Sequence, residues 1–239
     1  MNDRRSITLP RVLTFLAVVL VLKITGGVVL KYVDYFPPNF QSDFLLGREP
    51  YFFGTYRWAF YVHLLAGPVS LILGLILLSE RFRHTFPKWH RLLGRIQVLD
   101  VLFLLAPSGL WMAYRAEAGP VAGVGFAVLA VTTGTTVALG WRSAVQRRFA
   151  VHRRWMTRCF LLLCSTVVLR LIAGVATVTG MQGTWVEPLA AWVSWVVPLA
   201  VFEAAGAVSR QIAIRPSQNS PTLSPAATEI NARRTAAGN

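Results

Sequence analysis

The sequence predicts an all-α, polytopic membrane bundle of six transmembrane helices with both termini in the cytoplasm. Three observations carry that prediction. The 239 residues are 54% hydrophobic and only 14% charged, with a positive mean hydropathy. Six apolar stretches are each long enough to cross a hydrocarbon core of ~30 Å, which takes about 20 residues of helix. The basic residues gather on alternate connections. Of the 24 Lys and Arg, eighteen lie at the N-terminus, on the second and fourth connections and on the C-terminal tail, against four (Lys31, Arg48, Arg57, Arg115) on the opposite side. The positive-inside rule assigns the Arg-rich side to the cytoplasm. Backbone in lipid must bond to itself, and stretches of this length do so as helices rather than as barrel strands.

The spans are 12–33, 58–78, 92–113, 121–141, 156–178 and 188–208, within a transmembrane domain 1–210 followed by a disordered cytoplasmic tail 211–239 rich in Ser, Pro, Thr, Asn and Ala. The first span follows Arg4 and Arg5 but is too long for a signal-peptide core and is interrupted by Lys23, so it reads as an uncleaved span. In the second, His63, Gly67, Ser70 and Gly74 fall on one narrow stripe, and Gly67 and Gly74 admit a close helix or a flat ligand. Pro68 is expected to bend that helix.

The third span opens with His90-Arg91-Leu92-Leu93-Gly94-Arg95 and places His90, Gly94, Gln97, Val101 and Ser108 on one face, with Asp100 near mid-membrane. A carboxylate at that depth has to be protonated, paired or turned to a cavity, and Lys23 at similar depth is the expected partner. The fourth span carries a packing seam of Gly123, Ala127, Ala130, Gly134 and Ala138. In the fifth, His152 and Arg170 share a face ~27 Å apart. Arg170 either forms an outer-half polar site with His63 or snorkels to the outer headgroups. Cys159 and Cys164 point to different faces of that helix and read as core residues. Glu203 in the sixth span sits near the cytoplasmic end, paired with a histidine or Arg158, or placed at the interface. The connection 34–57, with Pro37-Pro38 and several aromatics, is expected to pack across the outer face.

The stretches His90-Arg91-x-x-Gly94 and His152-x-x-Trp155-Met156-x-Arg158, with Arg170 after them, resemble a bacterial family of uncharacterised multi-span membrane proteins classed as a domain of unknown function. The likeness runs from about His63 to Arg170. It implies six or so spans in an inner (cytoplasmic) membrane and implies no reaction.

The topology accounts for the net charge of +14 without nucleic acid, since the charge flanks spans and meets anionic headgroups of the bilayer. Phosphate-binding glycine loops, zinc-type Cys/His spacings and serine nucleophile elbows do not occur in the sequence. The sharpest chemical reading is a single b-type haem between His90 and His152, with Gly94 making room and arginines pairing with propionates. A quinone headgroup near His63, Gly67 and Arg170 would accompany it. A two-haem relay is disfavoured, because only His63 is available in the outer half. The alternatives are a structural or interaction protein with interfacial His/Arg anchors, and a proton-coupled small-solute transporter using Lys23, Gln97, Asp100, Arg170 and Glu203. Against transport, no span shows the paired breaks of discontinuous transporter helices, and Pro68, Pro107 and Pro198 read as single kinks.

Overall fold

The computed structural model describes residues 9–42, 44–181 and 183–214, and every regular element among them is helical. Six helical runs are long and apolar enough to cross a membrane: Arg11–Tyr35, Glu49–Leu78, Pro87–Tyr114, Gly119–Val145, Phe149–Thr179 and Val186–Ser209. Each contains one of the expected spans and extends beyond it at most ends. The last helix, Val186–Ile214, continues past the expected boundary at 210, and the rest of the expected tail, 215–239, lies outside the described residues. The described residues from Ala200 to the end of that helix belong to a second unit.

Helices in lipid gain nothing from burying apolar surface against one another, so close packing at small residues holds them together. Several glycines are required for this. A Cβ on Gly74 would lie 2.5 Å from the ring of Phe160, and one on Gly140 2.7 Å from Met156 Sδ. The expected seam on the fourth span meets the third: a Cβ on Gly123 would come within 2.8 Å of the Ala113 carbonyl oxygen, and Gly134 faces Ala106. Gly125, outside that seam, admits the indole of Trp192, whose Nε1 donates to the Val121 carbonyl at 3.1 Å. Gly67 needs no such explanation, since its nearest neighbour, Leu105 Cδ1, stands at an ordinary 4.0 Å.

Two of the spans are interrupted near their middles, one of them next to Pro107, where a kink is expected. The third runs as an α-helix over Pro87–Leu99, widens to π-helical turns over Asp100–Leu105, and resumes as Ala106–Tyr114. Pro107 supplies the reason: its ring crowds the carbonyl one turn back and it has no N–H to offer. The chain relieves this by a wider turn, with the Ala106 N–H bonded five residues back to Val101. The fifth span breaks at Cys164, where helix Phe149–Leu163 gives way to Ser165–Thr179 and the Val167 N–H bonds three residues back to Cys164 at 2.9 Å. By contrast, Pro68 sits inside a helix assigned without interruption over Arg57–Leu78.

A buried cluster of Val21, Ala66, Leu71, Val98, Val101, Leu105, Val137, Cys159, Leu163 and Val167 joins the first five spans. Both cysteines are free thiols. The connection after the first span folds into a second, aromatic cluster built on Tyr35, Leu45, Phe52, Tyr56 and Phe60. Arg48 fastens it: its Nε donates to the Phe44 carbonyl at 2.5 Å, a terminal nitrogen donates to the Tyr56 hydroxyl at 2.9 Å, and the guanidinium lies 4.4 Å over the Phe44 ring. One end of the bundle is thus aromatic and the other is rich in arginine. At the Arg-rich end, Glu80 pairs with Arg83 at 3.3 Å and with Arg153 at 3.9 Å, which links the second connection to the fifth span.

Candidate functional site

The polar residues of the spans fall into three groups along the second, third and fifth spans. At the Arg-rich end, His90 stands in the first turn of helix Pro87–Leu99 and His152 in the first turn of helix Phe149–Leu163. Helix Arg57–Leu78 packs against both of these helices, and Gly119–Val145 packs against the second of them. His152 and Arg83 lie within electrostatic reach of the His90 imidazole. The His152 Nδ1 stands 2.9 Å from the Gly140 carbonyl oxygen. A carbonyl only accepts, so Nδ1 carries a proton in this contact, and the neutral ring would hold its lone pair on Nε2. His90 differs, because its Nδ1 is buried and has no hydrogen-bond partner. Gly94, one turn further on, has open space where a side chain would be.

In the middle of the bundle, the Ser70 hydroxyl donates to the Asp100 carboxyl, and Gln97 Nε2 donates to the Ser70 backbone carbonyl at 3.2 Å. Asp100 and Gln97 are both buried, and Gln97 Oε1 has no partner. The expected Lys23–Asp100 pair does not form. Lys23 faces outward on the first span, and no ion pair reaches Asp100 among the described residues. Depth alone suggested that pair; the rotation of the first helix decides against it.

In the aromatic half, His63 Nδ1 lies 3.3 Å from the Leu105 carbonyl oxygen and 3.2 Å from Ser108 Oγ, and Gly109 accepts the ring edge at close range. The expected pairing of His63 with Arg170 is also corrected. Arg170 is exposed and folds back on its own helix, donating to Thr166 Oγ1 at 2.6 Å and to the Thr166 carbonyl at 3.3 Å. Its charge reaches Tyr32 and Tyr35 at the end of the first span instead. Among the described residues His63 and Arg170 share no hydrogen bond, each being held by other partners. Glu203 lies half-buried on helix Val186–Ile214, in the unit that begins at Ala200.

Sequence reasoning missed Ser108 as the His63 partner and Ser70 as the Asp100 partner. Ser70 had already appeared on the stripe with His63, and Ser108 follows Pro107 directly, so the wide turn that brings it to His63 had a visible signal.

Groups of three or more His, Cys, Asp or Glu able to hold a bare metal ion are absent among the described residues. Two imidazoles can hold a metal that brings most of its own ligands. A haem iron, with four porphyrin nitrogens, is of that kind. His90 and His152, on separate helices and within electrostatic reach of one another, are the residues that would hold such a group, and Gly94 has open space beside His90.

The profile of a family described as "Predicted membrane protein (DUF2306)" matches residues 60–205, a stretch that holds His63, His90, Asp100, His152, Arg170 and Glu203. Neither a curated protein nor a solved structure matches the chain.

Proposed function

The chain belongs to this family of multi-span membrane proteins, and from that premise we propose that it is a redox protein of a bacterial inner membrane holding one b-type haem between His90 and His152. The Arg-rich end, and both termini with it, then face the cytoplasm. The supporting observation is the asymmetry of the two imidazoles. His152 is held by the Gly140 carbonyl through its Nδ1, and His90 carries a buried nitrogen that no described residue satisfies.

Each neighbouring residue has a task in this reading. The Gly140 carbonyl fixes the tautomer and ring plane of His152 and raises the basicity of the ligating nitrogen. Gly140 lacks a side chain because Met156 occupies the space where one would be. Gly94 leaves room beside His90 for a flat macrocycle. Arg83, within electrostatic reach of His90, provides a cation for a propionate. When bound, the haem supplies a one-electron couple.

The test is ligand replacement. His90→Ala and His152→Ala should each abolish haem retention through purification, whereas His84→Ala, on the exposed short helix Glu80–Thr85, should keep it. Equal haem content in all three variants and wild type would refute the assignment.

A further inference from the structure

A second polar cluster lies in the middle of the bundle and does not depend on the histidines at the Arg-rich end. Asp100 is 7% exposed and Gln97 1% exposed within the protein, and the surrounding medium is a bilayer. Asp100 receives one hydrogen bond, from Ser70 Oγ. Gln97 is oriented by its bond to the Ser70 carbonyl, which leaves Gln97 Oε1 buried as an acceptor without a donor. The two side chains are three residues apart and share a helix face. Asp100 also begins the wide turn of the third span, Asp100–Leu105, and such turns recur at functional positions.

Among the described residues no cation pairs with this carboxyl. The helices packed against the Asp100 turn are Arg57–Leu78, Pro87–Leu99, Ala106–Tyr114 and Gly119–Val145. Their charged and titratable groups nearest in sequence are His63, His90, Arg95, Tyr114 and Arg142, and none of them exerts a charge interaction on Asp100. Lys23, on the first span, points outward.

We propose that Asp100 is an intramembrane proton-binding site: its carboxyl is the neutral acid in the resting protein, with Ser70 on one oxygen and the bound proton on the other, shared with Gln97 Oε1. One proton removes both defects at once. It discharges a carboxyl that a bilayer interior would otherwise hold as an unpaired anion, and it gives the stranded amide oxygen its donor. The proton is exchangeable, so the site can load and release it when the wide turn lets water approach.

The experiment is infrared difference spectroscopy on the full chain in lipid vesicles at neutral pH, wild type against Asp100→Asn, in H2O and D2O. The expected result is one protonated-carboxyl C=O band that the variant lacks and that shifts down in D2O. Asp100→Asn should melt with the wild type, because asparagine is a neutral isostere. Absence of that band, or its appearance only when sodium is withdrawn, overturns the proposal, the latter by assigning the site to a metal cation. If Asp100→Asn fails to fold, Ser70→Ala decides: the band should move in frequency and persist, and an unmoved band would belong to another group and reject the proposal.

Discussion

His152 is tied to Gly140 by a 2.9 Å hydrogen bond from its Nδ1 to the glycine carbonyl, across the contact between the fourth and fifth spans. The bond is possible because position 140 has no side chain. Met156 Sδ would stand 2.7 Å from a Cβ there, and the Trp155 Cβ 3.5 Å. Packing and ring orientation therefore depend on the same residue.

Gly140→Ala should lower the melting temperature in detergent, corresponding to a loss of roughly 1–3 kcal/mol from overpacking. It should also weaken haem retention by turning the His152 ring. Adding Met156→Ala should recover most of the stability if the clash is the cause. A double variant no more stable than Gly140→Ala would locate the damage elsewhere.

Gly74 and Gly67 lie on the same stripe of the second span and should respond differently to alanine. Gly74→Ala drives a Cβ to 2.5 Å from the Phe160 ring, whereas Gly67→Ala meets Leu105 at 4.0 Å. A thermal melt should show a drop equivalent to about 1–3 kcal/mol for the first. The second should change little or rise slightly, from the better helix propensity of alanine.

Arg147 closes the turn between the fourth and fifth spans at φ 60°, a left-handed conformation in a residue with a side chain. Arg147→Gly should raise stability by up to about 1 kcal/mol by removing that strain. Unchanged or lower stability would show that the arginine side chain contributes a contact that outweighs the backbone effect.

Lys23 and Arg170 both face away from the bundle interior. Lys23→Leu should leave the melting temperature unchanged or raised, whereas removing one partner of a buried ion pair costs about 3–5 kcal/mol. Arg170→Leu should cost no more than the Thr166 contacts it gives up, on the order of 1 kcal/mol. A large loss on Lys23→Leu would restore the pairing with Asp100.

The spans were legible because their length and apolar character are imposed by the bilayer, and the Arg asymmetry marked one end. Depth was legible as well: His90 and His152 share an end in the sequence, and in the structure each stands in the first turn of its helix at the Arg-rich end, within electrostatic reach of the other. Rotation about each helix axis was not. The first span is apolar on nearly every face, so its sequence gives no direction for Lys23, and Asp100 found Ser70 instead. The break at Cys164 carries no proline or glycine to announce it. The wide turn after Asp100 does have its cause in Pro107, although a proline alone does not say whether a helix will bend or widen.

The most direct test of the central claim is the absorption spectrum of the full-length protein, purified in detergent after expression with ample haem, recorded oxidised and then reduced. A low-spin bis-imidazole spectrum at one haem per chain is the predicted result. A colourless protein under the same conditions would contradict the haem site and leave His90 and His152 as two packed histidines at the Arg-rich end of the bundle.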